Sequence, residues 1–114
     1  MAAFNLNLEV EQGATFRKRL TWKAAGVPVD LTGYSARMQV RADYGSPLLL
    51  ELSTEGGGIA LGGAEGTIEL FIGAADTAKI AWEEALYQME LTAPDGDVLR
   101  KLAGSVNVIP EVVK

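Results

Sequence analysis

The chain has neither cysteine nor histidine among its 114 residues. Without cysteine there is no disulfide framework, no thiolate nucleophile and no Cys/His zinc site. Without histidine there is no Ser-His-Asp triad and no side chain of ordinary pKa that works as a general base near neutral pH. These absences predict a protein that is not an enzyme. A glycosidase needs only two carboxylates and is compatible with the composition.

Basic residues are also in short supply, since 10 Lys and Arg stand against 15 Asp and Glu, for a net charge of −5. This balance disfavours a nucleic-acid partner, because phosphate binding requires a basic surface. No apolar run approaches the roughly 18 residues that span a bilayer. The first residues lack the basic and apolar regions of a secretory signal. We therefore expect no nucleic acid, no membrane, and synthesis in the cytoplasm.

Charge is divided unevenly along the chain. Residues 1–41 contain six basic and three acidic side chains, whereas residues 42–114 contain four basic and twelve acidic ones. Two solvated faces of different composition explain this division, and so do complementary patches that dock on neighbouring molecules. The sequence leaves both interpretations open.

Apolar residues alternate with polar residues along most of the chain, which is typical of half-buried strands. Turns rich in Gly and Pro separate the alternating segments, and Asp95-Gly96 predicts a hairpin. Only Ala74–Ile80 favours a helix, of about two turns. The pattern predicts one all-β sandwich domain over residues 1–114.

The inward register of five strands predicts the core. Its predicted members are Phe16, Leu20, Trp22, Tyr34, Met38, Val40, Ile68, Leu70, Tyr87, Met89 and Leu91. The second strand places one charged residue, Lys18, in the same register. The other charged side chains of these strands are expected on the outer faces of the sandwich.

Three features resemble binding or catalytic motifs. The five glycines between residues 56 and 63 are not followed by the Lys-Ser/Thr pair of a phosphate loop, so they predict tight turns. Asp95–Asp97 lacks the further oxygens and the closing Glu of a calcium loop, so it predicts a hairpin turn. The adjacent Glu83-Glu84 pair points to opposite faces of a strand and shares no site. We therefore expect no catalytic residue, no cofactor and no metal.

Four arginines and one tryptophan are candidates for a protein interface. The arginines are Arg17, Arg19, Arg37 and Arg41, on the outward positions of two strands. No aromatic residue shares their register, as a platform for single-stranded nucleic acid requires. A solvated sheet face fits them, and so does a protein-docking surface. Trp82 lies outside the strands and is the candidate for a surface anchor.

The first strand, residues 4–10, is a second interface candidate. It alternates Phe4, Leu6 and Leu8 with polar residues and has only Glu9 as a charge. An edge strand with so few charged residues is typical of one that a neighbouring subunit or an added strand covers. The alternative is that this strand pairs within its own sandwich and contacts nothing else.

Three segments carry a family resemblance: Gln12–Phe16, Leu20–Trp22 and Val29–Arg41. Agreement continues through Leu52–Thr54, Ile59, Gly66–Ile68, Ala75–Ala78, Tyr87–Leu91, Asp95-Gly96 and the valine-rich last strand. With these segments the chain resembles a family of small bacteriophage β-sandwich proteins and domains of virion, baseplate and tail-fibre components. One departure is Ala81–Ala85, which fills the place of the turn that the family has after its short helix.

The resemblance implies an immunoglobulin-like antiparallel β-sandwich of about 7–8 strands with one short connecting helix. It implies a non-enzymatic virion protein that docks on other tail, baseplate or capsid proteins, in multiple copies or as a homo-oligomer. Tail-fibre or baseplate attachment, a connector accessory and head decoration are all open. The alternative is a carbohydrate- or receptor-binding module, which needs an exposed aromatic platform or a calcium cluster.

Overall fold

Strands form where apolar and polar side chains alternate, and short turns connect them. The computed structural model describes residues 4–112. Its strands are β1 (Phe4–Asn5), β2 (Leu8–Glu11), β3 (Phe16–Thr21), β4 (Lys23–Ala24), β5 (Val27–Pro28), β6 (Ser35–Arg41), β7 (Leu48–Ser53), β8 (Ile59–Leu61), β9 (Thr67–Ile72), β10 (Glu84–Thr92) and β11 (Val98–Ile109). One α-helix, α1 (Ala74–Thr77), connects β9 to β10, and a 3-10 turn lies at Gly63–Glu65. No helix in the described part of the chain is long and apolar enough to cross a membrane.

The strands form two sheets that enclose one core. The larger sheet has the order β1-β11-β10-β6-β7, with β2 also on β11, and the smaller sheet has the order β3-β9-β8. β4 and β5 form a separate hairpin. The orders β11-β10-β6-β7 and β3-β9-β8 correspond to the G-F-C-C′ and B-E-D strands of an immunoglobulin sandwich. The predicted immunoglobulin-like fold is therefore confirmed, except that β1 and β2 run parallel to β11 rather than antiparallel.

Most of the predicted core is buried. Eight of the eleven predicted residues have buried side chains, and Leu20, Trp22 and Tyr34 are partly buried against them. The sequence missed buried residues in turns, such as Leu31 and Ile80, because turn residues have no period that reports burial. It also missed the alternate apolar residues of β2 and β11. These are Leu8, Val10, Leu102, Val106 and Val108.

The helix is shorter than predicted, since it ends at Thr77 rather than Ile80. Thr77 is fully buried, and its Oγ1 donates to the Ala14 carbonyl at 2.8 Å and accepts from the Gly13 N–H at 3.0 Å. These bonds fasten the helix to the turn between β2 and β3. A turn then follows and brings Ile80 into the core.

Replacing Thr77 by valine keeps the buried shape and removes the hydroxyl. The Gly13 N–H and the Ala14 carbonyl then lose their partner, so we expect the free energy of unfolding to fall by about 2 kcal/mol. Urea denaturation followed by circular dichroism measures this change. The matched control is Thr77→Ser, which keeps the hydroxyl and loses one methyl group. Its free energy of unfolding is expected to fall by about 1 kcal/mol. Equal losses for the two variants would show that packing, not hydrogen bonding, fixes this corner.

Candidate functional site

The four candidate arginines lie on two opposite faces of the sandwich. β3 belongs to the smaller sheet and places Arg17 and Arg19 in solvent on its outer face. β6 belongs to the larger sheet, where Arg37 is exposed and Arg41 is partly buried. The outward positions are as predicted, but the four side chains do not form one basic patch. Their role in an interface stays a prediction.

On the smaller sheet, both arginines contact side chains of β9. The Nε of Arg19 donates to Oε1 of Glu69 at 2.7 Å, and the guanidinium forms an exposed ion pair with the same carboxylate. The guanidinium of Arg17 lies 5.0 Å from the ring centroid of Phe71, within range of a cation–π contact. Arg17 therefore lies over an exposed aromatic ring, whereas Arg19 lies beside a carboxylate.

On the larger sheet, the outward side chains of β6 and β10 line a groove of about 270 Å³. Arg41 Nη1 donates to the Ser46 carbonyl at 2.7 Å, and Nη2 donates to Gln39 Oε1 at 3.0 Å. Gln39 in turn donates to Glu51 on β7 at 2.7 Å. This network ties the β6–β7 loop to the sheet, and the exposed Tyr44 of that loop also lines the groove.

Trp82, the candidate surface anchor, is only partly exposed. Trp82 lies between α1 and β10, outside the strands as predicted, but its ring is partly buried and packs against the core. The chain turns inward here because Ile80 and Ala85 on either side are both buried. Trp82 therefore packs against the core while part of it stays exposed, and its role as a surface anchor stays a prediction.

The N-terminal candidates also change. β1 pairs with β11 in parallel, with Phe4 opposite Leu102. Leu6 is partly buried against the core, and its carbonyl accepts a hydrogen bond of 2.6 Å from the hydroxyl of Tyr87. Leu8 is only 3% exposed, so it is a core residue and not an interface residue. The first strand therefore pairs within its own sandwich, but it lies at the edge of the larger sheet, so its contact with a neighbouring chain stays a prediction.

The side of the sandwich between β1–β2 and β3, the open side, has a cleft that the sequence analysis missed. The cleft, of about 630 Å³, is lined by Glu9 and Glu11 of β2 and Lys18 of β3 among others. A second pocket, of about 420 Å³, is an apolar notch. Its apolar lining residues are Leu6, Leu20, Trp22, Ile68 and Leu102. The one signal in the sequence was Lys18, a charge in an inward register.

The Asp95–Asp97 segment forms the predicted hairpin turn. Asp95 Oδ1 accepts from the Asp97 N–H at 3.0 Å, and the Ala93 N–H donates to the Asp97 carbonyl at 2.8 Å. Gly96 has a φ of +94°, which glycine adopts without strain. The carboxylate of Asp95 is thus used within the turn. Across residues 4–112, no group of three or more acidic side chains converges on a common point.

The fold and these surfaces define an immunoglobulin-like β-sandwich whose candidate sites are outer faces and edges. No protein-family model matches the chain, and no curated protein matches it. Among solved structures the chain is similar to extracellular domains 3–5 of Drosophila OTK, at 20% sequence identity and a TM-score of 0.42. The match covers 92% of this chain and 32% of that chain, so this chain spans about a third of its neighbour's length. Nothing about function follows from this similarity.

Tyr87 generates a pH-dependent prediction. Burial raises the pKa of its hydroxyl from 10.0 to about 12, so the folded protein holds this proton above the pH at which the unfolded chain releases it. The stabilisation is present below pH 10 and declines as the pH rises through 12. We expect the free energy of unfolding to fall over this range, with a smaller fall in Tyr87→Phe. Chemical denaturation at several pH values measures both slopes, and equal slopes would contradict the assignment.

Proposed function

We propose that this chain is a non-enzymatic structural protein of a bacteriophage virion. In this role it docks on other tail, baseplate or capsid proteins, in multiple copies or as a homo-oligomer. Tail-fibre or baseplate attachment, a connector accessory and head decoration are the three positions that such a domain would take. The virion part of the proposal is supported by the segments Gln12–Phe16, Leu20–Trp22 and Val29–Arg41, which resemble those of phage β-sandwich components.

The docking part of the proposal is supported by the hairpin between β6 and β7. Tyr44 is 78% exposed, and Leu48 and Leu49 are 44% and 39% exposed. Leu49 is the extra residue of a β-bulge, because Val40 pairs with Leu50 while Arg41 pairs with Leu48. Three large apolar side chains in one hairpin are typical of a surface that another protein covers. We call this hairpin surface the apolar tip.

Labelled antibodies on purified particles test the virion assignment. Antibody raised against the folded chain is expected to label intact phage particles of the source culture at one defined position in negative-stain images. That position would separate tail, baseplate, connector and head. Label confined to the unassembled fraction of the lysate would contradict the proposal.

A variant of the apolar tip tests docking in the same system. Tyr44, Leu48 and Leu49 are together changed to serine, and the variant is expected to remain folded but not to enter particles. The matched control is Val27→Ser, since Val27 is 64% exposed on the β4–β5 hairpin. Incorporation of both variants at the parental level would show that the apolar tip does not mediate docking.

The alternative is a carbohydrate- or receptor-binding module. One observation favours it: Tyr44 stands beside a groove whose lining includes Arg37, Gln39, Arg41 and Gln88, which offer guanidinium and amide donors near an aromatic ring. A binding site of this kind needs a few fixed polar groups at an accessible surface. Under this alternative, the isolated chain binds immobilised oligosaccharides, and Tyr44→Ala abolishes binding while Val27→Ser does not. Absence of glycan binding together with labelled particles would favour docking.

A further inference from the structure

The outer edge of β3 has no partner strand within residues 4–112. β3 pairs on its other side with β9 along all six of its residues. In constant-type immunoglobulin domains the corresponding sheet has four strands, A, B, E and D. Here the first strands of the chain, β1 and β2, pair with β11 in the larger sheet. The smaller sheet therefore ends at β3.

The backbone groups available on this edge follow from the ladder. The Trp22 N–H donates to the Gly66 carbonyl at 2.8 Å, so this N–H points to the β9 side. In an antiparallel ladder these groups alternate in direction from residue to residue. Arg17, Arg19 and Thr21 therefore direct their N–H and carbonyl groups away from β9, toward the open side.

The side chains on the same edge are basic. Arg17, Lys18 and Arg19 follow one another, with the two arginines on the outer face and Lys18 toward the cleft. In the described part of the chain the ion pairs are Arg19–Glu69 and Arg37–Glu90. Neither pair includes Arg17 or Lys18, so these two charges face solvent without a carboxylate partner.

The basic side chains Arg17, Lys18 and Arg19 determine which kind of strand can pair with the outer edge of β3. A charge that points inward from an edge strand opposes pairing with apolar strands, because pairing would bury it. A second copy of β3 is disfavoured too, since like charges would lie opposite each other. An acidic strand meets neither obstacle. Glu9 and Glu11 on β2 disfavour an acidic strand at the edge of β2, so such a strand is favoured at β3.

We propose that the outer edge of β3, together with the apolar notch, is a docking site for an extended acidic segment of another protein. The segment adds to the smaller sheet as a fourth strand, which is a known mode of peptide recognition. Its carboxylates pair with Arg17, Lys18 and Arg19, and an apolar side chain enters the notch beside Leu20 and Trp22. This inference rests on the proposed docking function and names the chemistry of one partner.

A synthetic peptide probes the site in the isolated chain. The peptide Thr-Val-Glu-Glu-Glu-Val-Thr reads the same in both directions, so the strand direction need not be known in advance. On binding, we expect the amide hydrogens of Arg17, Arg19 and Thr21 to gain protection from exchange in NMR spectra. Those of Lys18 and Leu20, already bonded to β9, remain as they were. This alternation is the signature of strand addition, which loose electrostatic attraction does not produce.

Fluorescence gives the affinity. In the Trp82→Phe variant, Trp22 is the only tryptophan, and its emission reports an apolar side chain entering the notch. We expect Lys18→Glu to weaken peptide binding about tenfold or more. Arg37→Glu is the matched control, because it reverses an exposed charge on the opposite sheet and is expected to leave the affinity unchanged. If Lys18→Glu does not fold, Lys18→Gln replaces it.

Four results would overturn the inference: no alternating protection, equal binding of Thr-Val-Lys-Lys-Lys-Val-Thr, equal binding by the Lys18 variant, or a free chain that already dimerises through β3. The last result would identify a second copy as the occupant. Because the assay uses the isolated chain, its failure is separate from a failure of particle labelling. If particles are labelled but the peptide does not bind, the virion proposal stands and the proposed docking site at β3 is wrong.

Discussion

The central strand β10 determines the register of the larger sheet. It pairs on one side with β6 and on the other with β11, and its alternate residues Ala85, Tyr87, Met89 and Leu91 are at most 2% exposed. A slip of one residue would bury Gln88 and Glu90 in the core. The free-energy cost of burying these polar side chains would not be offset by new contacts. The positions of Arg37, Gln39 and Arg41 on the outer face of the larger sheet therefore follow from the burial of β10.

The same strand accounts for the open edge of the smaller sheet. Tyr87 lies opposite Gly104 on β11, and its hydroxyl reaches the Leu6 carbonyl. A Cβ at position 104 would come within 2.3 Å of that carbonyl oxygen, so glycine is required for the N-terminal segment to lie this close. The segment is thereby held on the larger sheet. The outer edge of β3 is left without a partner strand in the described part of the chain, and the open side keeps its cleft.

The uneven division of charge along the chain has a partial explanation within the fold. Arg19 pairs with Glu69, Arg37 with Glu90 and Gln39 with Glu51, so polar groups of the first third meet acidic groups of the remainder across neighbouring strands. These contacts are exposed and contribute little to stability. They do decide which charges remain free for a partner. Arg17 and Lys18 remain free at the β3 edge, while Glu9 and Glu11 stand on the other wall of the cleft.

The sequence by itself determined the β class, the main strands, the Asp95–Asp97 hairpin and most of the core, because period-2 alternation and turn residues act locally. Only the tertiary structure decided that Arg17 and Arg37 lie on opposite faces, because alternation shows that a residue points outward but not which sheet holds its strand. It also decided that Leu8 is buried. The pairing of the first strand with β11 involves contacts between residues far apart in sequence, such as that of Tyr87 with Leu6, which are 81 positions apart. No local pattern contains that information.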